Sequence, residues 1–386
     1  MKYSLSDICF FSRDKVNVAQ LTTKTYISTE NMLPNRAGVE TATALPMVEQ
    51  VQAFQPGDVL VSNIRPYFRK IWTAKNKGGC SNDVLVFRAK EGTCSDFLYY
   101  VLSDDKFFNF ATATSKGTKM PRGDKAAIMQ YQVPHYPIET QEKIAQCLRV
   151  IDDKINVNSA INHNLQQQIQ SLYDSWFKRF EPFTNSMQDS ELGLIPSDWQ
   201  VKDIYCIASI IYGAPFSSKF FNTERHGKPI VRIRDLKAQD VNTYTTECHP
   251  KGYLLQNGDI VVGMDGEFRP YIWGSDQAWL NQRVCVFVNK RPHGKAFLLY
   301  SIKPLLNIVE QTEVATTVIH IGKQDFDAFR IVVPPDNILN AFDEITAPMY
   351  DQIVNHICEN RRLGILRDAL LPKLMSGEID VSEVEI

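Results

Sequence analysis

Residues 139–177, ETQEKIAQCLRVIDDKINVNSAINHNLQQQIQSLYDSWF, decide the fold of this chain. Apolar residues recur along the stretch at alternating steps of four and three, and neither Gly nor Pro interrupts it. This heptad spacing predicts a single helix of about 58 Å, at ~1.5 Å per residue, with an apolar seam that needs a partner. Pro137 precedes the stretch, and Thr140 is its predicted N-cap. An ordinary amphipathic core helix is the alternative interpretation.

The end of the chain repeats this pattern at an offset of 198 residues. Asn158 and Asn162, in the middle of the first seam, then correspond to His356 and Asn360 in the second. Polar residues in a seam favour one register, because a slip would bury them unpaired. We therefore expect antiparallel helices in which Asn158 faces Asn360 and Asn162 faces His356. The residues predicted to pair are Ile151, Ile155, Asn158, Asn162, Leu165, Ile353, His356, Asn360 and Leu363.

The globular parts of the chain repeat as well. Four further pairs of segments match in the same order, at offsets between 198 and 204 residues. They are 56–62 with 257–263, the Arg-Pro-Tyr runs at 65–67 and 269–271, 84–87 with 284–287, and the Val-Pro pairs at 133–134 and 333–334. Turn residues followed by alternating apolar residues predict strands. The chain is therefore predicted to hold two copies of one unit, a β-rich domain followed by a long helix.

The predicted fold class is α/β (α+β), with two β-rich domains and two long helices that pair as an antiparallel coiled coil with pseudo-twofold symmetry. The predicted boundaries are 1–138 for the first β-rich domain, 139–181 for the first helix, 182–194 for a linker, 195–337 for the second domain, 338–377 for the second helix and 378–386 for an acidic tail. Gly377 is the predicted C-cap, and the tail after it is expected to be frayed.

Aromatic residues mark the junction between the first helix and the second domain. Trp199 follows the predicted linker and is expected to close the start of the second core. The cluster at the helix end is either a joint with a globular domain or a docking patch for another protein, and it comprises Trp176, Phe177, Phe180 and Phe183.

Composition is that of an ordinary globular protein of two or three domains, with 386 residues, 44% hydrophobic and 22% charged. No apolar run reaches the length of a signal peptide or a membrane span, so we expect a cytoplasmic protein. The eight cysteines include no C-x-x-C pair, which favours reduced thiols over disulfides or a zinc site. The net charge of −2 hides an uneven distribution, because residues 1–138 carry an excess of five basic residues. Such a distribution is compatible with one DNA-binding face.

Three segments resemble the specificity subunit of type I restriction-modification systems. They are PIETQEKIA at 137–145, IPSDW at 195–199 and LPKLMSGEI at 371–379, and the resemblance extends over the whole chain, including its doubled architecture. It implies that each β-rich domain is a target recognition domain that binds one half of a bipartite, asymmetric site in double-stranded DNA. It also implies that the helices act as a spacer and bind modification (methyltransferase) subunits, which restriction (translocase and nuclease) subunits then join. S-adenosylmethionine, ATP and Mg are expected in those partners, and no cofactor or metal in this chain.

DNA-contact candidates are polar loop residues that combine cations, hydroxyl groups and aromatic rings, since Lys and Arg neutralise phosphates and donate to guanine. In the first domain they are Arg65, Tyr67, Arg69, Lys70, Lys75, Lys77, Ser115, Lys116, Thr118, Lys119 and Arg122. In the second domain they are Ser217, Ser218, Lys219, Arg232, Arg234, Arg269, Gln282, Arg283, Thr316, Thr317, His320 and Lys323. The shared Arg-Pro-Tyr context leaves two roles open for Arg65 and Arg269, bracing a turn or reading a base. The loops 114–124 and 315–325 differ, so the two half-sites are expected to differ.

Catalytic motifs are missing from the sequence. It contains no G-x-x-x-x-G-K-[ST], no G-x-G-x-x-G and no histidine pair at metal-ligand spacing. Asp259, Asp265 and Glu267 are the residues on which a rival interpretation, a standalone DNA nuclease, depends. A scaffold protein that binds no DNA is a second rival.

Overall fold

The computed structural model describes residues 3–183, 186–312 and 319–384. The chain divides into two compact units: unit 1 is Met1–Asp153 with Ile365–Ile386, and unit 2 is Lys154–Gly364. Both division points lie inside long helices. Each unit therefore combines a β-rich domain with parts of both helices. Among the described residues, no helix is both long and apolar enough to cross a membrane.

The described residues of unit 1 form ten strands and four short helices, together with parts of both long helices. The strands are β1 Tyr3–Ser4, β2 Cys9–Phe11, β3 Lys15–Asn17, β4 Tyr26–Ile27, β5 Gln50–Phe54, β6 Val59–Ser62, β7 Ile71–Thr73, β8 Gly78–Cys80, β9 Val84–Ala89 and β10 Gln132–Val133. The helices are α1 Leu5–Ile8, α2 Ser95–Ser103, α3 Asp105–Ala113, α4 Lys125–Met129 and the long α5 Ile138–Tyr173. The main sheet is antiparallel in the order β2-β9-β6-β7, and a second sheet has the order β3-β5-β8-β4.

The main sheet of unit 1 is buried on both faces. Val59 and Val61 of β6 lie in a core with the helices, whereas Leu60 between them lies in a smaller core with residues of the second sheet. Successive side chains of a strand point to opposite faces, so an uninterrupted apolar run suits a strand covered on both sides. Each such side chain stabilises the fold by about 1.5–3 kcal/mol.

Unit 2 repeats this plan, with twelve strands in the part of it that the structure describes. They are β11 Met187–Ser190, β12 Gly193–Pro196, β13 Gln200–Asp203, β14 Ala208–Tyr212, β15 Phe221–Asn222, β16 Lys228–Val231, β17 Tyr244–Thr245, β18 Ile260–Gly263, β19 Pro270–Ile272, β20 Trp279–Leu280, β21 Val284–Asn289 and β22 Arg330–Val333. The helices that follow α5 are α6 Lys295–Thr312, α7 Lys323–Asp327 and the long α8 Asp336–Ser376. The main sheet has the order β14-β21-β18-β19, and the second sheet β15-β17-β16-β20.

The antiparallel pairing of α5 and α8 is confirmed by the contacts within unit 2. Asn158 Nδ2 donates to Asn360 Oδ1 at 2.9 Å, and the side chains of Asn162 and His356 are hydrogen-bonded at 2.9 Å. A higher residue number on α5 is therefore paired with a lower one on α8, which means that the two helices run in opposite directions. Both asparagines of α5 are buried. The predicted polar layer is thus correct, residue for residue.

Pairing of the helices within unit 1 is apolar at its centre. Ile144 and Leu148 of α5 lie in one core with Leu371 and Leu374 of α8. Arg367 adds an ion pair of 2.7 Å with Asp152. The helix pair is therefore apolar in one unit and polar at its middle in the other.

The helix ends differ in part from the predictions. Thr140 is not the N-cap, because α5 already begins at Ile138 and the Gln141 N–H donates to the Pro137 carbonyl at 3.0 Å. The helix continues past Tyr173 into a π-helical turn, Asp174–Lys178. The predicted C-cap at Gly377 is confirmed, since its φ is 74° and the Glu378 N–H donates to the Lys373 carbonyl at 3.0 Å.

The segments after the two long helices pack against the β-rich domains. Residues 182–194, predicted as a linker, include β11, which forms a hairpin with β12. Trp199 is 1% exposed and closes the core of unit 2 as predicted. The tail is not frayed over its described residues, because Val381 is 3% exposed in the core of unit 1. The aromatic cluster is a joint within unit 2, with the Phe177 ring 4.9 Å from that of Phe342.

One of the predicted repeat matches is wrong. The Ala74 N–H donates to the Asp58 carbonyl at 2.9 Å, and the Trp273 N–H donates to the Asp259 carbonyl at 2.8 Å. Ala74 and Trp273 therefore occupy equivalent positions in the two units, whereas the two Arg-Pro-Tyr runs that precede them do not. The run at 65–67 leads into a short 3-10 turn, whereas the run at 269–271 leads directly into β19. The connection between the two strands is longer in unit 1, which shifts the motif.

Candidate nucleic-acid interface

Three loops of unit 1 meet at the end of the main sheet where β6 ends and β9 begins. Residues 63–70 follow β6, and the Arg65 N–H donates to the Pro121 carbonyl at 2.8 Å. The Gly123 N–H donates to the Asn63 carbonyl at 3.1 Å. The Asn35 N–H donates to the Phe68 carbonyl at 2.8 Å, which joins a third loop. We call residues 31–39, 63–70 and 114–124 the unit 1 loop surface.

Most cations of this surface are held by carboxylates. Lys116 pairs with Asp124 at 2.6 Å and Arg122 with Asp83 at 3.0 Å. The hydrogen bond from Lys116 lowers the pKa of the Asp124 carboxyl, and the same contact raises the pKa of Lys116. Lys119 makes no ion pair within the described ranges. Paired cations keep a defined direction, whereas Lys119 is free to move toward a phosphate.

Arg65 braces the junction of two loops. Its backbone is left-handed, with φ of 49°, and its guanidinium Nε is buried without a hydrogen-bond partner. Another guanidinium nitrogen donates to the Lys119 carbonyl at 3.5 Å. Arg69 is also left-handed and pairs with Asp105 at 3.3 Å. Of the two roles left open for Arg65, the geometry favours the brace.

Of three further predicted lysines of the first domain, Lys70 lies in this surface but its ammonium is held by the backbone, and the other two lie outside the surface. Lys70 Nζ donates to the Thr29 carbonyl at 2.6 Å, and burial lowers the pKa of its ammonium group. Lys75 and Lys77 lie between β7 and β8, at the opposite end of the β6–β7 hairpin, next to Asp58. Ser115 and Thr118 do lie in the loop surface; the Ser115 hydroxyl donates to the Thr112 carbonyl at 2.7 Å, and Thr118 is exposed.

The equivalent end of the main sheet in unit 2 is also formed by convergent loops. The Met264 N–H donates to the Arg283 carbonyl at 2.8 Å, and the Ile321 N–H donates to the Met264 carbonyl at 3.0 Å. The Gln282 N–H donates to the Ala214 carbonyl at 2.9 Å. We call residues 213–216, 264–269, 281–283 and 319–321 the unit 2 loop surface.

A mixed-charge cluster lies within the unit 2 loop surface. Asp265 Oδ1 is 2.7 Å from His320 Nδ1 and 3.7 Å from the Arg283 guanidinium. Arg283 is also 3.1 Å from the imidazole ring nitrogen Nδ1 of His320. Arg269 pairs with Glu267 at 3.4 Å and remains mostly exposed, so it does not brace a turn as Arg65 does. This cluster offers both donors and acceptors, as needed to read base edges.

The remaining predicted residues of the second domain are placed as follows. Arg232 bonds to Asp235 at 3.2 Å and to the Thr243 hydroxyl, so it holds its own loop, whereas the Arg234 side chain is 71% exposed. The Ser217 N–H donates to Glu247 at 2.7 Å, and Ser218 and Lys219 are exposed beside it. Lys323 lies on α7 and pairs with Asp327 at 2.7 Å. Thr316 and Thr317 lie outside the described residues.

Sequence reasoning missed the loop around Asn35 and Arg36. Both residues have left-handed backbones, with φ of 56° and 61°, and the Arg36 N–H donates to the Arg69 carbonyl at 2.9 Å. This loop is about thirty residues from its partner in sequence and has no counterpart in the repeat. The basic Asn-Arg pair between Pro34 and Gly38 was the available signal, since Asn tolerates left-handed turns.

The acidic residues of the nuclease interpretation do not form a metal site. Asp259 is buried and accepts the Gln256 N–H at 2.8 Å and the Tyr253 hydroxyl at 3.1 Å. Burial raises the pKa of this carboxyl. Asp265 and Glu267 bond to neighbouring cations and not to a shared centre. Within the parts of the chain that the structure describes, no group of three or more His, Cys, Asp or Glu is arranged to hold a metal ion.

The doubled β-rich domain with a helix pair, and loops of cations at one end of each main sheet, define a DNA-recognition scaffold. The family model described as the type I restriction modification DNA specificity domain matches this chain twice, at residues 2–167 and 196–359. The chain belongs to that family. It is a DNA sequence-recognition and assembly subunit and not itself an enzyme.

Individual relatives agree with the family. The chain is 25% identical to the type I restriction enzyme MjaIX specificity subunit of Methanocaldococcus jannaschii, over 86% of this chain and 80% of the relative. It is 22% identical to the HindI specificity subunit of Haemophilus influenzae, over 98% and 99% of the two chains. In fold it is similar to the crystal structure of the type I restriction-modification system S subunit from M. genitalium, with a TM-score of 0.54, 12% identity and coverage of 97% and 96%.

Proposed function

We propose that unit 1 and unit 2 each bind one half of a bipartite, asymmetric site in double-stranded DNA, through the two loop surfaces defined above. The observation that carries this proposal is that equivalent ends of two similar main sheets bear loops of different chemistry. Arg122 and His320 sit at equivalent positions, since each bridges to the loop that follows the central strand of its main sheet. Different donors and acceptors on one scaffold select different bases.

Within each loop surface, the contacts divide into phosphate binding and base reading. Lys119 of the unit 1 loop surface is well suited to phosphates, because it is exposed and makes no ion pair among the described residues. In unit 2 we assign this role to Arg234, which lies outside the loop surface as defined and is held only by a 3.9 Å contact with Asp235. Arg122 and Arg283 are held in fixed directions by Asp83 and by the cluster around Asp265, as base readout requires. Phosphate contacts position the protein, and base contacts specify the sequence.

The helix pair would hold two modification subunits, and restriction subunits would join that assembly. S-adenosylmethionine, ATP and Mg would be bound by those partners, in the cytoplasm. The support for this role is that α5 and α8 are long, 36 and 41 residues, and expose large apolar side chains such as Val157 and Ile345. A partner that covers such side chains gains free energy.

Coexpression with the neighbouring modification subunit and base-by-base methylation mapping of a randomised DNA library tests the proposal. We expect methylation at a split motif with a fixed gap, which disappears when this chain is omitted. Lys119→Ala should weaken binding at all sequences and reduce the dependence of log K on log[salt] by about one unit. Lys75→Ala is the matched control, because Lys75 lies at the other end of the β6–β7 hairpin. Methylation independent of this chain, or at one unbroken motif, would contradict the proposal.

A further inference from the structure

Three large apolar side chains project from the unit 1 loop surface. Tyr67 is 49% exposed, Phe68 is 39% exposed and Met120 is 50% exposed. The rings of Tyr67 and Phe68 pack against each other with centroids 4.8 Å apart. Met120 lies on the neighbouring loop, one residue before Pro121, whose carbonyl accepts the Arg65 N–H. We call these three residues the apolar tip.

The backbone, and not the side chains of the tip, holds these loops in place. Left-handed conformations at Arg65 and Arg69 bracket the 3-10 turn that carries Tyr67 and Phe68. The Phe68 carbonyl is tied to Asn35, and the loop of Met120 is closed by paired backbone hydrogen bonds of 2.9 Å between Lys116 and Arg122. A rigid support that exposes apolar side chains is what insertion into a partner requires, because little conformational entropy is lost on binding.

The surroundings of the tip identify nucleic acid as its occupant. Lys119 is adjacent to Met120, and Lys116, Arg69 and Arg122 lie on the same two loops. A protein partner with an apolar groove would not require Lys119, which makes no ion pair among the described residues, beside the tip, whereas DNA presents phosphates around an apolar base stack. Apolar side chains such as Phe and Met are those that enter between base pairs and unstack them.

The corresponding connection between β18 and β19 in unit 2, which the structure describes in full, differs from the turn that carries Tyr67 and Phe68. Its connection from β18 to β19 runs from Met264 to Arg269, and the backbone contact made by Arg65 in unit 1 is made there by Gly266. The aromatic residue of that loop, Phe268, is fully buried. The described connection from β18 to β19 therefore carries no exposed aromatic residue like Tyr67 or Phe68.

We infer that Phe68 and Met120, supported by Tyr67, insert between two base pairs of the half-site bound by unit 1 and unstack them. The inference rests on the proposed function, since it requires the unit 1 loop surface to face DNA. Pyrimidine–purine steps unstack most easily, so this half-site should contain a TA or CA/TG step at the point of insertion. Sequence selectivity would then come in part from deformability, at positions where no hydrogen bond is made.

The test uses the complex of this chain with its modification subunits and duplexes that carry the split site found by methylation mapping. The fluorescent base 2-aminopurine is placed at successive adenine or flanking positions of each half-site. We expect fluorescence to rise severalfold on binding at one step of the unit 1 half-site only. Phe68→Ala combined with Met120→Ala should abolish this rise and weaken binding roughly tenfold or more. Phe68→Trp should retain the rise and thus shows that the loop folds when the side chain is changed.

The matched control is Phe10→Ala, which removes an exposed aromatic side chain elsewhere in unit 1. Phe10 lies on β2 opposite Arg88, away from the end of β9 that adjoins the loop surface. This variant should bind and unstack DNA as the wild type does. Specific binding without any rise in fluorescence overturns the insertion alone. If replacing thymine by uracil weakens binding while the 2-aminopurine fluorescence does not change, the tip contacts thymine methyl groups in a groove. That result also overturns the insertion. Failure of the wild-type complex to bind the split site refutes the proposed function together with the insertion.

Discussion

The second sheets of the two units share one parallel strand pair, β4 with β8 and β16 with β20, and differ in the strands beside it. In unit 1, β4 lies at the edge and pairs in parallel with β8, which also pairs with β5. In unit 2, the corresponding strand β16 lies inside the sheet, between β17 and β20. The main sheets, in contrast, have the same order and sense. The main sheet is therefore the repeated scaffold, whereas the strands beside the parallel pair of the second sheet differ between the units.

The corresponding strands β8 and β20 differ in side-chain size. Gly78 and Gly79 of β8 have no space for a side chain, because a Cβ atom would lie 2.3 Å from Phe54 and 2.6 Å from Leu21. Close approach of neighbouring strands to β8 thus depends on glycine. The corresponding β20 carries Trp279, whose ring centroid lies 5.6 Å from that of Phe216. β20 nevertheless keeps an antiparallel neighbour like that of β8, since Leu254 bridges to Trp279 as Ala53 pairs with Gly79.

The aspartates that begin the central strands provide a second contrast. Asp58 accepts two hydrogen bonds of 2.8 Å from Arg88, which also reaches Asp14 at 2.6 Å. Asp259 has no arginine partner and bonds instead to the Tyr253 hydroxyl. The same backbone position is therefore buried in both units, with an arginine partner in unit 1 and a tyrosine partner in unit 2.

Removing these aspartates should give the largest difference between the units. Asp58→Ala leaves the half-buried Arg88 without its bidentate partner, and we expect unit 1 to lose about 3–5 kcal/mol of unfolding free energy. Asp259→Ala removes a hydrogen bond from a tyrosine and a backbone N–H, and should cost unit 2 about 1–3 kcal/mol. Hydrogen exchange in β6 and β18 measures each effect locally. Asp14→Ala is the control, and equal losses for Asp58 and Asp259 would contradict the assignment of the ion pair.

Substitutions in the polar layer of the helix pair should destabilise unit 2 and not unit 1. Asn158→Ala leaves Asn360 and Glu359 without the amide that donates to both, and we expect a loss of about 1–3 kcal/mol. Asn156→Ala, an exposed change on the same helix, should remain within about 0.5 kcal/mol. Asn158→Leu with Asn360→Leu imitates the apolar pairing of unit 1 and should match or exceed the wild type in stability. Hydrogen exchange in α5 and α8, measured during unfolding in denaturant, gives the free energy of unfolding of each variant. If the double variant is as unstable as Asn158→Ala, the two asparagines do not stabilise the helix pair through their mutual hydrogen bond.

Arg283→Ala and Arg122→Ala compare the base selectivity of the two loop surfaces. Arg283→Ala removes a donor from the cluster with Asp265 and His320, and discrimination at one position of the unit 2 half-site should fall by about 1–3 kcal/mol. Arg122→Ala should do the same at the unit 1 half-site only. Methylation mapping of a randomised library reads both changes, with Lys323→Ala on α7 as the control. A change in both half-sites from a single variant would refute the independence of the two loop surfaces.

The smallest effects should appear in the dependence of stability on pH. Burial raises the pKa of Asp259, so its contribution to stability is complete below the unfolded pKa, about 3.9, and is lost as pH rises through the folded value. Hydrogen bonds from Arg88 lower the pKa of Asp14, so its contribution to stability depends on pH in the opposite direction. It is complete above the unfolded pKa and is lost as pH falls through the folded value. Asp259→Asn should flatten the pH dependence of exchange protection in β18 above pH ~4, and Asp14→Asn should alter only β6. An unchanged β18 profile in Asp259→Asn would show that this carboxyl is not responsible.

The sequence was sufficient for the helix seam and for the strands of the main sheets, because both signals are periodic and local. The spacing of Ile144, Leu148, Asn158 and Asn162 predicts one helix face, and the runs at 59–62 and 260–263 predict buried strands. The site was predicted less well. Lys70, Lys75 and Lys77 were grouped with Arg122 by composition, although the backbone holds the ammonium of Lys70 and the fold directs the other two elsewhere.

Sequence order and hydrophobic period thus established two repeated units, an antiparallel helix pair and a polar layer at its middle. Only the tertiary structure decided the strand order of the second sheets, the packing of Val381 against unit 1, and which loops meet at the end of each main sheet. The physical reason is the range of the interactions. A heptad or an alternating run describes neighbours within a few residues, whereas the hydrogen bonds from Asn35 to Phe68 and from Arg65 to Pro121 join segments that are distant in the chain. Their formation depends on the packing of the whole unit.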